Sequence, residues 1–260
     1  MTNVQNIRTV SMLGSGNVAW WFVTMLKKAN IRISQIYSRT AEHCQKLAEY
    51  CGAEAITEID KLQGGSDLYI FSLKDDVYES VIKQIPFRLP LAVLTAGSVS
   101  QRTFAGTAEH FGVIYPCQSI SQNSDFLTLK VPLCVEGSDK ETADGLYDFA
   151  KLLCNNVFHV DEMQRATLHR AAVFANNFTN AMYDISFDIL QNAGMGKEIL
   201  LPLIENTVDK IKVMSPRKAQ TGPAKREDTV VMQRQIEALE DETVREIYQS
   251  CSRYIMDKNK

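Results

Sequence analysis

The 260-residue chain lacks a surplus of positive charge: 28 Lys and Arg stand against 31 Asp and Glu, a formal net charge of -3. Proteins that track nucleic-acid phosphates need such a surplus, so DNA and RNA are not expected as main partners. Long apolar runs are also missing. No stretch reaches the roughly 20 residues of a membrane span, and the N-terminus lacks the charged-then-apolar order of a signal peptide. No membrane partner is expected, and a cytoplasmic location is. Histidine is scarce, with four residues. The six cysteines (Cys44, Cys51, Cys117, Cys134, Cys154 and Cys251) are scattered, without a Cys-x-x-Cys pair or a histidine at zinc-ligand spacing. They read as free thiols, and no metal site is expected.

Against this ordinary background the first dozen-odd residues stand out. The apolar run Thr9-Val10-Ser11-Met12-Leu13 leads straight into Gly14-Ser15-Gly16-Asn17-Val18-Ala19, and an amphipathic segment follows. Strand, Gly-x-Gly-x-x-Ala turn and helix is the order that a pyrophosphate-binding βα unit requires. Gly14 can make the tight turn, Gly16 lets the backbone approach a phosphate, and Ala19 permits close helix–strand packing. The helix N-terminus adds unpaired N–H groups and the positive end of its dipole. Gly14, Ser15, Gly16, Asn17 and Val18 are therefore expected to contact a dinucleotide. Ala19, Phe22, Val23 and Leu26 then repeat at i, i+3, i+4, i+7, the stripe a helix lays on a sheet. Trp20 and Trp21 fall off that stripe. They are expected either to be half-buried against a loop or to face a second domain or subunit.

The pattern predicts a second strand over 31–37, ending in Ser38-Arg39-Thr40. No Asp or Glu stands where an NAD-preferring site holds the ribose 2′-hydroxyl. A guanidinium fork between two hydroxyls suits a 2′-phosphate, so NADP is the expected cofactor; the alternative is a surface arginine capping the loop. Further strands are predicted over 67–73, 91–94, 113–116, 131–135 and 157–160, with helices over 40–50, 77–85 and 139–153 between them. Open α/β sheets place ligands at strand carboxyl ends. That adds Ser72, Leu73, Lys74, Ala96 and Gly97 to the expected cofactor contacts. The fold class is α/β: a largely parallel, doubly wound sheet of Rossmann type over residues 1–160.

From Asp161 the strand signals stop, and an all-α domain is predicted over 161–260. Its helices are expected over 162–190, 197–214, 228–239 and 242–256, with Gly194, Gly196, Pro216, Gly222 and Pro223 between them. A helix as long as the first needs burial on more than one face, so docking on the sheet or intertwining with a second copy as a homodimer is expected. At about 3.6 residues per turn, His169, Val173, Asn176, Asn180, Tyr183 and Phe187 share one side, with Asn177 about 80° round from His169. Such a stripe reads either as hydrogen bonding at a subunit interface or as a surface facing substrate.

With these pieces in view the chain resembles the 6-phosphogluconate dehydrogenase-like superfamily, and more closely its small NADP oxidoreductases akin to pyrroline-5-carboxylate reductase. The resemblance rests on Gly14–Ala19, Tyr37–Thr40, Gly112-Val113-Ile114-Tyr115-Pro116, Leu168–Asn177 and Thr221-Gly222-Pro223-Ala224-Lys225-Arg226. It has a gap. The β-hydroxyacid dehydrogenase branch sets a Lys four residues before a catalytic Asn; with that Asn on Asn177 the Lys position holds Val173, which carries no proton. Pyrroline-5-carboxylate reductases lack that lysine as well, which keeps imine reduction open. Their Ser-Pro-Gly-Gly-Thr loop is replaced here by Ser215-Pro216-Arg217-Lys218-Ala219, which speaks against proline synthesis itself.

The expected function is an NADP-dependent oxidoreductase that passes hydride from NADPH to a small C=O or C=N substrate in a cleft between the domains. His169 is the expected general acid. Asn177, with Asn176 as the alternate, would orient substrate or nicotinamide, and Asn180 and Arg226 would contact the substrate. The missing lysine leaves a second class open, an NADP-binding sensor or assembly protein without turnover.

Overall fold

The computed structural model describes residues 6–258. Eight strands among them form one sheet: β1 (Thr9–Leu13), β2 (Arg32–Tyr37), β3 (Glu54–Ile56), β4 (Leu68–Phe71), β5 (Leu89–Leu94), β6 (Ala108–Pro116), β7 (Leu133–Gly137) and β8 (Val157–His159). Their spatial order is β3-β2-β1-β4-β5-β6-β7-β8. Every pairing is parallel except β6 with β7. The chain leaves β1 toward β2 and β3 on one side and returns to β4 on the other. That reversal creates a crevice at the carboxyl ends of β1 and β4.

Four helices accompany the strands: α1 (Asn17–Lys28), α2 (Ala41–Cys51), α3 (Tyr78–Ile82) and α4 (Lys140–Leu153). Successive residues of a strand point to opposite faces, and β1 shows it. Met12 enters a core with Phe22, Leu26, Leu47 and Phe149 from α1, α2 and α4. Leu13 enters a second core with Phe71, Tyr78, Val81 and Phe104. Both faces are covered, as the unbroken apolar strands imply. Asp139 caps α4 by accepting from Thr142 N–H at 2.8 Å, and that bond holds its carboxyl below the usual range.

Two local expectations are corrected, and one strand was missed. Trp21 is 1% exposed and lies in the core of the sheet unit, so the two indoles do not form a pair facing a partner. The cause is a second covered side of α1, which packs on α4 as well as on the sheet. Trp20 is half-buried against Tyr50, with ring centroids 5.3 Å apart. The helix expected over 77–85 shrinks to α3, preceded by a 3-10 turn at Asp75–Val77. The three-residue edge strand β3 had no sequence signal long enough to read.

Beyond β8 the chain is helical: α5 (Glu162–Ala172), a π-helical turn (Val173–Phe178), α6 (Thr179–Asn192), α7 (Leu201–Val213), α8 (Pro216–Ala219), α9 (Thr229–Glu237) and α10 (Glu242–Asp257). A capping box starts α5: Asp161 accepts from Gln164 N–H at 2.7 Å, and the Gln164 side chain accepts from Asp161 N–H at 2.9 Å. Two compact units result. The first runs to Asn176 and the second begins at Asn177. Strands end near residue 160, yet the first unit reaches further, because Arg165, Leu168 and His169 of α5 pack against the sheet. The π turn also changes the geometry read at 3.6 residues per turn. Its wider i→i+5 bonding departs from the 3.6-residue period on which the stripe of His169, Asn176, Asn180, Tyr183 and Phe187 was read. Asn176, Asn177 and Asn180 are exposed, and α6 has no buried residue.

Candidate functional site

Parallel register brings the strand ends level. Leu13 pairs with Tyr37 and with Phe71, and Phe71 pairs with Leu94. The next residues, Gly14, Ser38, Ser72 and Thr95, therefore leave the sheet along one edge. Gly14 has φ +127°, and a Cβ there would overlap the Ser72 carbonyl oxygen. Its N–H donates to Tyr37 O at 2.7 Å, while Ser72 N–H donates to Leu13 O at 2.8 Å. Glycine is required twice over, by its own conformation and by the close approach of β4.

Gly16 is different. Its backbone is extended (φ -78°, ψ -175°), and a Cβ would meet only open space. It forms the N-cap of α1 and has no side chain to offer, so no side-chain cap closes that helix. The first-turn amides of Asn17, Val18 and Ala19 are left without intrahelical acceptors, at the positive end of the helix dipole. An uncapped terminus with free space above it fits a bound diphosphate. Ser15 is buried and donates to Ser38 Oγ at 2.8 Å, which ties the turn to the end of β2. Ser38 Oγ also accepts from Thr40 N–H at 3.3 Å. Beside them Arg39 is exposed and forms no ion pair among the described residues. A free guanidinium on that strand end fits an additional phosphate.

The two loops predicted at the ends of β4 and β5 meet. Ser98 hydroxyl donates to the Asp75 carboxylate, and Thr95 N–H donates to Phe71 O at 3.0 Å. Ser72 and Leu73 are half-buried there, Lys74 is exposed, and Ala96 and Gly97 are buried. His169 reaches the same loops from α5. A Cβ on Gly97 would overlap the imidazole, so the glycine is what lets the ring lie against the turn. His169 Nδ1 stands 3.1 Å from the Tyr115 hydroxyl, the rings meeting edge to face at 80°. Burial pushes the Tyr115 phenol well above its usual range, with the neighbouring Cys117 thiol adding to the shift. Cys134 is pushed up to about 11 by burial and by Cys117.

Of the remaining predicted residues, Asn176 closes the first unit, while Asn177, Asn180 and Arg226 belong to the second, all with exposed side chains. Two residues at the strand ends were not singled out in the sequence. Tyr115 stood only inside a family motif, and Arg165, on a segment predicted to be helical, carried no signal of its partners. Among the described residues no group of three His, Cys, Asp or Glu could hold a metal, and no helix is long and apolar enough to cross a membrane.

A family model described as "Domain of unknown function (DUF2520)" matches residues 131–255. No curated protein matches the chain. Among solved structures, a Bacteroides fragilis protein described as a "putative NADP oxidoreductase" is 33% identical, with 98% of this chain and 99% of that one covered at a TM-score of 0.87. A pyrroline-5-carboxylate reductase from Streptococcus pyogenes shares the fold at 17% identity, over 96% and 97% of the two chains, with a TM-score of 0.65. A reductive aminase from Aspergillus terreus, solved with NADPH and ethyl levulinate, does so at 16% identity, over 89% and 78%, with a TM-score of 0.62. The chain thus belongs to the family of the Bacteroides fragilis protein, with a Rossmann-type domain and a helical C-terminal domain as in pyrroline-5-carboxylate reductases.

Proposed function

We propose that the chain is an NADP-dependent oxidoreductase acting on a small carbonyl or imine. The observation that carries this reading is the uncapped N-terminus of α1 over the Gly14–Gly16 turn, with the unpaired Arg39 on the adjoining strand end. The description of the Bacteroides fragilis relative as a "putative NADP oxidoreductase" points the same way. Bound NADPH would supply a hydride. The protein's own part is to hold and orient. The amides of α1 take the diphosphate, and Arg39 with Ser38 and Thr40 takes the 2′-phosphate. Ser72–Lys74 and Ala96–Gly97 border the nicotinamide half. His169 carries the proton, as the histidine that lies against the Gly97 turn. Asn176 and Asn177 follow it on the same helical run and orient the reacting group, with Asn180 and Arg226 as substrate contacts. The π turn that contains Asn176 and Asn177 supports a functional role, since such turns recur at functional sites.

Calorimetry on the pure protein tests the reading. NADPH is expected to bind with a Kd on the order of micromolar and NADH at least about tenfold more weakly. Binding of neither coenzyme would end the proposal. A panel of cyclic imines and 2-oxo acids then tests turnover, and His169→Asn is expected to slow any reduction by roughly 100-fold or more. The absence of a lysine at Val173 favours the second reading. NADPH bound tightly, with no panel member reduced, would mark a coenzyme-binding protein without turnover.

We further infer a homodimer through the helical unit. Helix α7 is amphipathic, with Leu201, Ile204, Val208 and Ile211 on one stripe, and Leu201, Val208 and Ile211 are 41%, 42% and 49% exposed. A helix of about 13 residues is marginal by itself in water and needs that stripe covered. Sedimentation equilibrium is expected to give a dimer for the wild type and a monomer for Val208→Asp/Ile211→Asp. A wild type that sediments as a monomer at about 10 μM, a concentration where obligate dimers persist, removes the inference.

A further inference from the structure

Arg165 is 1% exposed, and the coenzyme reading gives it no task. Its guanidinium joins three parts of the chain. Nε donates to Glu136 Oε2 of β7 at 3.0 Å, and Nη1 donates to the carbonyls of Ala96 and Gly97 at 3.1 and 2.8 Å. Glu136 is 5% exposed, and its other oxygen accepts from Gln101 Nε2 at 2.6 Å. The result is a closed ring of bonds around the turn that follows β5.

Stability alone is a poor reason for this arrangement. Burying both charges costs several kcal/mol, and apolar replacements of similar volume often do as well or better. The network is also incompletely satisfied: Arg165 Nη2 and Gln101 Oε1 are buried with no hydrogen-bond partner. Each such group adds a desolvation cost. Burial raises the Glu136 carboxyl above its usual range even though Arg165 pulls it down.

Position suggests the use. Arg165 and His169 are four residues apart, hence neighbours on one face of α5. The Ala96–Gly97 turn is held through its carbonyls by the first, and the ring of the second occupies the space that a Gly97 Cβ would take. Any slip of the turn along α5 would move the imidazole off the Tyr115 hydroxyl. We propose that Arg165, anchored by Glu136, is a positioning residue that sets the ring of His169 against Gly97 and Tyr115, so that Tyr115 donates to Nδ1 and the proton resides on Nε2. Its catalytic meaning rests on the proposed function, but the geometry can be tested without coenzyme.

With only four histidines, the nitrogen resonances of 15N-histidine-labelled protein resolve individually, and His169→Asn identifies the signal. In the wild type, His169 is expected as the Nε2–H tautomer. Arg165→Lys keeps the charge and loses the fork, so it separates positioning from electrostatics. It is expected to shift the tautomer ratio roughly fivefold, the weight of one hydrogen bond. His43, His110 and His159 should not move. Tyr115→Phe and Gly97→Ala, which act on the ring directly, are expected to give the same change with Arg165 intact. Should Arg165→Lys not fold, Glu136→Gln, which loosens the anchor of the guanidinium, is expected to give the same change and decides the matter. An unchanged His169 signal in folded Arg165→Lys and Glu136→Gln proteins overturns the proposal. A wild type that binds no coenzyme would instead remove the oxidoreductase reading and leave this result standing.

Discussion

Gly14→Ala is expected to abolish coenzyme binding and to lower the melting temperature by roughly 6–12 °C, a stability loss on the order of 3 kcal/mol for a domain of this size. The methyl group would enter the Ser72 carbonyl oxygen, and φ +127° is a conformation that alanine rarely adopts. Relief requires β4 to shift from β1, and the crevice lies between those strands. Gly16→Ala provides the contrast. Its Cβ meets open space and its backbone already suits any residue, so the melting temperature should stay close to that of the wild type. Binding should still fall, because the new methyl occupies the space a phosphate needs. If Gly16→Ala binds as tightly as the wild type, the diphosphate does not rest on α1.

Arg39→Ala should weaken NADPH by roughly 10- to 100-fold, the usual weight of a charge-assisted hydrogen bond, and leave NADH within about a factor of two. The side chain is exposed and pairs with no carboxylate, so its removal leaves no buried group unsatisfied and the fold should not respond. Arg39→Lys retains the charge without the planar fork and should fall between. Fluorescence of the bound reduced coenzymes measures both affinities. Equal losses for NADPH and NADH would show that Arg39 acts on something other than the 2′-phosphate.

How legible each element was depends on how local its physics is. The turn from Gly14 to Ala19 could be read because glycine chemistry and helix N-termini are properties of a few adjacent residues. Ser72 and Gly97 could be placed because each follows an apolar strand, and parallel register carries such residues to one edge. Periodicity failed where the structure changes period without changing composition. Nothing in Val173-Phe174-Ala175-Asn176-Asn177-Phe178 announces a π turn, so 162–190 was read as one uninterrupted α-helix. Trp21 was misplaced because α1 packs on two sides, and its second neighbour, α4, lies more than a hundred residues further along the chain. Arg165 was invisible for a related reason. A charge on a helix reads as solvent-facing until its partners on β7 and after β5 are known.

The antiparallel pairing of β6 with β7 also bears on how this protein can be dissected. The stretch matched by the family model starts at residue 131, so it takes β7, α4 and β8 but leaves β6 behind. Produced as a fragment, that stretch would open a strand edge that is normally closed, an invitation to aggregation. It would also strand Glu136 without Gln101 and Arg165 without the turn it grips. The boundary drawn by sequence similarity is therefore not a seam along which the polypeptide comes apart, and expression of the segment by itself is a poor route to its biochemistry.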